Sequence, residues 1–214
     1  MEQFDGGPLT SVEVRVLGCL MEKAATTPDV YPLTLNALRT ACNQSSNRDP
    51  VVSYDDGTVQ SALDTLRARS LTRVVHSTTN RATKYRHVLD EALGLQPPER
   101  AVLTVLLLRG PQTVGEVRTK AERIHPFGSV AEVDEVVDRL SARRQPLVGR
   151  LPRAAGQKDL RVTHLLAGEP VDRPAGEARP AAAPAGPGPD RLAALEADVA
   201  ALRAEVSELR ARLD

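Results

Sequence analysis

The stretch from Glu22 to Val51, EKAATTPDVYPLTLNALRTACNQSSNRDPV, holds one short helical pattern between two loops. Pro28 and Pro32 bound the first loop, because proline disfavours a continuing helix. The second loop begins after Cys42 and is rich in Asn, Ser and Asp, which favour turns and caps. This loop–helix–loop segment therefore predicts a small domain whose remaining elements lie on either side of it.

Those flanking elements are two further helices and a hairpin. Thr10 and Glu13 form a Ser/Thr-x-x-Glu capping box, which predicts the start of a helix. Asp55 or Asp56 can cap another helix, whose apolar residues recur at i, i+4 and i+7 on one face. Two strand-like runs, LTRVVHS and RATKYRH, then occupy most of 71–87 and are joined by a polar turn. Three helices and a hairpin in this order indicate a winged helix.

The same order of segments occurs a second time in the chain, which predicts a tandem repeat of one domain. The first copy is seven residues longer between its first and second helices and five longer between its second and third. These extra residues are TTPDVYP and part of NQSSNRDPV, so the first copy is expected to differ in its loops, where function usually lies. The matched segments are EVRVLGCL (13–20) with ERAVLTVL (99–106), TLNALRT (34–40) with TVGEVRT (113–119), and ALDTLRAR (62–69) with VVDRLSAR (136–143).

The second copy is well patterned. Capping boxes are predicted at Thr113 with Glu116 and at Ser129 with Glu132. Its first helix, containing VLTVLLL, is apolar nearly all round, which indicates burial on more than one side. That surface is expected to pack on the first domain, and the alternative is a dimer interface. The predicted helical stripes are Val114, Val117, Ala121 and Ile124, and Val133, Val136, Val137 and Leu140.

The predicted fold class is mainly α with small β-hairpin wings (α+β): two tandem winged-helix domains and a C-terminal coiled-coil helix. The segments are a disordered N-terminus (1–8), winged-helix domain 1 (9–94), winged-helix domain 2 (95–167), a Pro/Ala/Gly-rich linker (168–189) and a coiled-coil dimerisation helix (190–214).

The coiled coil is predicted from a heptad seam with Val at several a positions and Leu at d, a combination that favours two parallel strands. In such a pair Arg191 meets Glu196, Asp198 meets Arg203 and Glu205 meets Arg210, and all three contacts attract. The alternative is a single amphipathic helix that folds back on its own domain. The seam consists of Leu192, Leu195, Val199, Leu202, Val206, Leu209 and Leu213.

Three long motifs resemble the YceH-like family of uncharacterised bacterial proteins. They are TPDVYPLTLNAL (27–38), ACNQSSNRDPV (41–51) and LLLRGPQTVGEVR (106–118), and the resemblance covers about residues 9–167. It implies a tandem winged-helix fold, in agreement with the internal repeat. It supplies no activity and does not extend to the linker or the zipper.

Composition excludes several classes of function. Charge is balanced, with 28 basic and 28 acidic residues, which argues against a polyanion binder driven by bulk charge but leaves room for a local basic patch. Two Cys are too few for a disulfide framework, and the four His have no metal-ligand spacing. No cofactor, metal site or catalytic residue is therefore expected, and a chain without a signal or membrane-spanning run is expected in the cytoplasm.

Residues 43–48 have two interpretations. Cys42 could act as a nucleophile only with a neighbouring base, so its inward spacing indicates a buried small side chain. Asn43 and Gln44 can end the helix and tie the loop to the backbone. Alternatively, the loop could offer its amides and Arg48 to a partner or to DNA. The family-motif loop residues are Asn43, Gln44, Asn47 and Arg48.

A DNA surface is predicted where winged helices usually carry one, on the third helix and the wing. In domain 2 the third helix displays Glu132, Asp134, Glu135 and Asp138, which phosphates would repel, so it is not expected in a groove. The candidate residues are Gln60, Ser61, Asp64, Arg67 and Arg69 on or near the third helix of domain 1, Arg81, Lys84 and Arg86 on its wing, and Arg150, Arg153, Lys158 and Arg161 on the wing of domain 2.

Two hypotheses follow from these patterns. One is a homodimeric protein that binds double-stranded DNA, such as a transcriptional regulator. The other is a winged-helix adaptor that binds a protein partner through the acidic helix and the long loops.

Overall fold

The computed structural model describes residues 7–75, 82–152 and 159–168. These residues form a mixed α and β architecture of helices and two small antiparallel sheets. They lie within one compact unit, residues 1–178, whereas a second unit, residues 179–214, falls outside the described part. The linker after residue 168 and the whole predicted coiled coil therefore stay predictions.

The first repeat, residues 9–94, contains four helices and three strands. Between its first helix and first strand lies a single 3-10 turn, Pro28–Val30. The helices are α1 (Ser11–Thr26), α2 (Leu35–Cys42), α3 (Asp56–Ala68) and α4 (Leu89–Leu93), and the strands are β1 (Leu33–Thr34), β2 (Thr72–Val75) and β3 (Lys84–His87).

The second repeat, residues 95–167, has the same order of elements up to its last strand. Its sheet order, β4-β6-β5, corresponds to β1-β3-β2 in the first repeat. The helices are α5 (Pro97–Arg109), α6 (Val114–Ala121) and α7 (Val130–Ser141), and the strands are β4 (Gln112–Thr113), β5 (Val148–Arg150) and β6 (Arg161–His164).

Local capping interactions start most of these helices. Thr10 and Glu13 form the predicted capping box, with the Thr10 N–H donating to Glu13 at 2.7 Å. Asp55 caps α3 through the Thr58 N–H at 2.7 Å. Thr34 ends β1 and also caps α2, so one residue belongs to the sheet and to the helix start. Thr113 does the same for β4 and α6.

Three details of the sequence prediction were wrong. Ser129 caps α7, but the Glu132 side chain accepts from the Gly128 N–H at 2.8 Å and therefore completes no box with Ser129. Helix α6 ends at Ala121, so Ile124 reaches the core from the following turn. The extra residues of the first repeat do not all enter loops, because α1 has 16 residues and α5 has 13.

The two repeats share one continuous hydrophobic core, and helices α1 and α5 pack against each other at its centre. Eight consecutive residues of α5, from Ala101 to Leu108, are buried, because α1 covers one side of the helix while α6 and α7 cover the others. The expectation that this apolar helix packs on the first repeat is confirmed. No helix in the described ranges is both long and apolar enough to cross a membrane.

Gly18 sets the distance between α1 and α5. A Cβ atom placed on Gly18 would lie 3.0 Å from Leu108 Cδ2 and 3.1 Å from Leu107 Cβ. The Leu107 Cβ is fixed to the α5 backbone, so it cannot move aside unless the helix moves. The absence of a side chain at Gly18 therefore permits the close approach of the two repeats.

We expect Gly18→Ala to lower the free energy of unfolding by about 1–3 kcal/mol, because overpacking at this contact outweighs the gain in helix propensity. The matched control is Gly115→Ala in α6, where an added Cβ meets nothing within 4 Å. This control should be neutral or stabilising by up to about 1 kcal/mol. Denaturant unfolding measures both changes, and equal stabilisation by the two substitutions would contradict the role given to Gly18.

Candidate nucleic-acid interface

The hairpin β2–β3 carries its cations on one face. The register pairs Arg73 with Arg86 and Val75 with Lys84, whereas Tyr85, which pairs with Val74, is buried. Directly opposed residues of an antiparallel pair project from the same face of the sheet. Arg73, Lys84 and Arg86 therefore share the face that points away from the core. Arg81 lies outside the described residues.

Arg73 and Arg86 are like charges in directly opposed positions, an arrangement that is destabilising by itself. Glu91 of α4 lies between them, 3.6 Å from Arg73 and 2.8 Å from Arg86. The Glu91 side chain is 53% exposed, so these pairs contribute little to stability and are screened by salt. One carboxylate against two guanidinium groups leaves an exposed excess of positive charge.

The outward face of α3 is polar and internally hydrogen-bonded. Gln60 donates to Asp64 at 3.2 Å and accepts from the Tyr85 hydroxyl at 3.0 Å, so the hairpin holds its side chain in place. Arg67 also pairs with Asp64 at 3.2 Å, and Ser61 is exposed beside them. The apolar residues predicted to face the core, Val59, Leu63 and Leu66, are buried.

Arg69 follows α3 and turns back toward the start of the chain. Its guanidinium donates to the carbonyl of Gly7, a residue of the segment that was expected to be disordered. Next to it, the N–H of Leu9 donates to the carbonyl of Leu166 at 2.8 Å. The beginning of the first repeat and the end of the second are thus tied together, and Arg69 belongs to this contact as well as to the candidate surface.

The hairpin of the second repeat is partly neutralised by its own helix. Arg150 lies 2.8 Å from Asp134 and 2.7 Å from Asp138, both on α7. The hydrogen bond to Asp138, together with the bond to Asp134, raises the pKa of Arg150 above its usual value. Arg161 is half-buried on β6, whereas Arg153 and Lys158 lie outside the described residues. Of this candidate group, Arg150 is therefore already occupied by carboxylates of the same repeat.

Arg48 of the family-motif loop is buried and cannot contact a partner in this arrangement. Its side chain has no exposed surface, and it donates to both carboxylate oxygens of Glu22, at 3.1 and 2.6 Å. It also donates to the Ala41 carbonyl at 3.1 Å and to Gln44 at 2.9 Å. Burial alone would raise the pKa of Glu22, but the hydrogen bond and charge of Arg48 hold it below the usual value.

The remaining loop residues support the structural interpretation. The Asn43 amide donates to the Tyr54 carbonyl and accepts from the Tyr54 N–H, both at 2.8 Å, which closes the loop at its ends. Asn47 has a φ of 59°, a left-handed conformation that Asn tolerates better than most residues. Its side-chain carbonyl accepts from Arg109 at the end of α5. The loop therefore braces the first repeat against the second.

Two residues of this region were missed from the sequence. Arg73 lies in a predicted strand, where its place on the solvent face alternates correctly with the buried Thr72. Glu91 lies on α4, a five-residue helix too short to give a periodic signal. The alternation around Arg73 was a usable signal, whereas the contact between Glu91 and the two arginines required the hairpin register.

We expect Arg48→Met to lower the free energy of unfolding by about 3–5 kcal/mol, because it leaves Glu22 buried without its partner. Glu22→Gln should be less costly after Arg48→Met than in the natural chain. The control is Arg39→Gln, which breaks an exposed pair with Asp56 and should cost under about 1 kcal/mol. A double-mutant cycle measured by denaturant unfolding checks the coupling, and additive effects of the two core substitutions would refute it.

Comparison with known proteins agrees with the motifs. Residues 9–157 match the family described as "Protein of unknown function, DUF480". A UPF0502 protein of Geotalea uraniireducens is 58% identical over 162 residues, which span 76% of this chain and 74% of the relative. A UPF0502 protein of Opitutus terrae is 51% identical over 193 residues, which span 90% of this chain and 82% of the relative.

These matches exceed half of the chain and include all three motifs quoted above. The resemblance to the YceH-like proteins is therefore confirmed, and the chain belongs to this uncharacterised bacterial family, the UPF0502 (DUF480) proteins.

Proposed function

We propose that this protein binds double-stranded DNA through two winged-helix domains and acts as a homodimer, in the manner of a transcriptional regulator. The order of elements supports the domain assignment, because each repeat runs helix, short strand, helix, helix and two hairpin strands. In a winged helix the third helix enters the major groove. The corresponding elements here are α3 and α7.

The observation that carries the proposal is a local concentration of positive charge. Between Thr65 and Leu89 the chain has six Arg and Lys residues and no Asp or Glu, although charge is balanced over the whole chain. The described members of this set follow the last turns of α3 or lie on the outer face of β2–β3. A cluster of this kind attracts phosphate irrespective of base sequence. The six residues are Arg67, Arg69, Arg73, Arg81, Lys84 and Arg86.

The two parts of this surface have different roles in the proposal. The hairpin cations Arg73, Lys84 and Arg86 bind phosphates and fix the register on the duplex. Sequence is read by α3, where the Gln60 amide and the Arg67 guanidinium can bond base edges. Asp64 holds both groups in the free protein, so base contact requires them to exchange Asp64 for a base.

The second repeat plays a supporting part. Its helix α7 presents carboxylates, two of which are engaged by Arg150, so α7 stays outside the groove. Arg153, Lys158 and Arg161 of its hairpin supply further phosphate contacts. The proposal assigns no catalytic activity to the chain and no cofactor.

A second candidate function is a protein-binding adaptor without DNA binding. Val30 is 61% exposed and Val51 is 58% exposed, and each lies within one of the two loops that are longer in the first repeat. Exposed apolar side chains of this size suit a protein contact better than a phosphate contact. The pairing of Arg150 with α7 favours the same alternative, because it removes one cation from any DNA surface.

We expect neutralisation of Lys84 and Arg86 by Gln to weaken binding to all duplexes alike. The slope of log affinity against log salt should flatten by about 0.9 for each phosphate that the variant no longer neutralises. Glu91→Gln should act in the opposite direction, because it frees Arg73 and Arg86 from their shared carboxylate. Arg123→Gln, at an exposed position outside the hairpins, is the control and should leave the slope unchanged.

Fluorescence anisotropy with random duplexes at several salt concentrations measures these changes. Failure of the natural protein to bind any duplex near 50 mM salt, where phosphate contacts are weakly screened, would favour the adaptor instead. An unchanged salt slope in the Lys84 and Arg86 variant, with DNA binding retained, would move the contact away from the first hairpin.

We expect removal of residues 190–214 to convert a dimer into a monomer. The truncation deletes all seven apolar side chains of the predicted seam, and each buried Leu contributes about 1.5–3 kcal/mol. Sedimentation of the full-length and truncated proteins compares the two assembly states. If both proteins sediment as the same species, the seam is not the dimerising element.

A further inference from the structure

The core of the first repeat contains two cysteines in contact. Cys19 lies in the middle of α1, and Cys42 is the last residue of α2. Both are free thiols with no exposed surface, and their side chains are hydrogen-bonded to each other. The proposed DNA surface uses neither residue. Two thiols in contact are the minimum needed for a disulfide.

The surroundings of this thiol pair carry an excess of positive charge. Arg15, one turn before Cys19 on α1, is only 4% exposed and donates to the carbonyls of Cys42 at 3.2 Å and Pro50 at 2.6 Å. Both acceptors are neutral, and no carboxylate of the described residues lies within 4.0 Å of Arg15. A buried cation without a counter-ion is unfavourable, so a compensating negative charge is expected nearby.

Arg48 cannot share its own counter-ion. It is bonded to Glu22, the one carboxylate that this region of the described core provides, so two arginines face a single acid. The tyrosine nearest to the group, Tyr54, is neutral at ordinary pH. The remaining ionisable groups are the two thiols, and one thiolate between Arg15 and Arg48 would balance the site.

Cys19 is the thiol suited to carry that charge. Burial alone would raise the pKa of Cys19, but the S–H of Cys42 donates to its sulfur and both arginines attract the thiolate, so the net direction is downward. The hydrogen bond to Cys19, together with burial, raises the pKa of Cys42, which therefore stays protonated. Glu22 opposes ionisation of Cys19 but is itself engaged by Arg48.

We propose that Cys19 and Cys42 form a buried thiolate–thiol pair that hydrogen peroxide converts into a disulfide between α1 and α2. The Cys19 thiolate attacks one peroxide oxygen, the O–O bond breaks, and hydroxide leaves and is protonated to water. The Cys42 thiol then attacks the sulfenic acid on Cys19. The S–S bond forms, and the sulfenic oxygen leaves as a second water that carries the Cys42 proton. Two thiols are oxidised and one peroxide is reduced to two waters.

Oxidation changes the charge of the site as well as its covalent structure. A disulfide carries no charge, so Arg15 loses its counter-ion while still buried. The residues that accept its hydrogen bonds, Cys42 and Pro50, flank the family-motif loop, and Arg48 is held within that loop. Disulfide formation therefore weakens the attachment of the loop to α1.

The test treats the full-length protein with hydrogen peroxide near pH 7, removes the peroxide, denatures the protein and alkylates it with iodoacetamide. Intact mass should show the loss of two hydrogens and no alkylation, reversed by a reductant. Cys19→Ser and Cys42→Ser should each give no intramolecular disulfide. Arg15→Gln should slow disulfide formation about tenfold for each unit by which the Cys19 pKa rises. The matched control Arg39→Gln, an exposed arginine on α2, should leave the rate unchanged.

A second measurement uses the unmodified chain. Thiolate absorbance in the ultraviolet, followed against pH, should show one cysteine ionised below the ordinary range near 8.5, and Cys19→Ser should remove that step. The proposal is overturned if both thiols ionise only at or above the ordinary value. It is also overturned if peroxide leaves two alkylatable thiols in the folded protein, or if Arg15→Gln and Arg39→Gln react at the same rate.

Discussion

The contact between α1 and α5 at Gly18 is the constraint on which the rest of the fold depends. Each helix would expose an apolar face if its repeat stood alone, and each covers that face of the other. Interiors are close-packed, so the distance between the two helices is set by the side chains at the contact. With no side chain at Gly18, Leu107 and Leu108 reach the α1 backbone. The orientation of the two hairpins follows from that packing.

The family-motif loop acts on the same contact from outside the core. Its buried arginine binds α1 and α2, while Asp49 donates its N–H to the Leu108 carbonyl at 2.9 Å and Asn47 accepts from Arg109. The α1–α5 junction is therefore held twice, by apolar packing along the helices and by polar bonds at the end of α5. The long loop of the first repeat has a mechanical role that its composition of turn residues does not reveal.

The sequence predicted those features that depend on neighbours close in the chain. Thr10, Thr34, Asp55 and Thr113 were identified as caps because a cap and its partner are three residues apart. The two-residue strands β1 and β4 were missed, because a strand of that length shows no alternation.

The partners that span long stretches of chain were missed for a different reason. Glu22 and Arg48 are 26 positions apart, and Arg150 meets Asp134 and Asp138 only after the hairpin folds onto α7. No periodic pattern carries such contacts. Charge counts therefore located the basic hairpins but could not tell which cations were already paired.

Sharing a core has a consequence for dissecting this protein. A chain cut between residues 94 and 95 would yield two fragments, each with one uncovered helix, α1 or α5, of complementary shape. Neither fragment could bury that surface alone, so each would aggregate or recruit the other. Produced together, the fragments should reassemble as a split protein in which association and folding are one process.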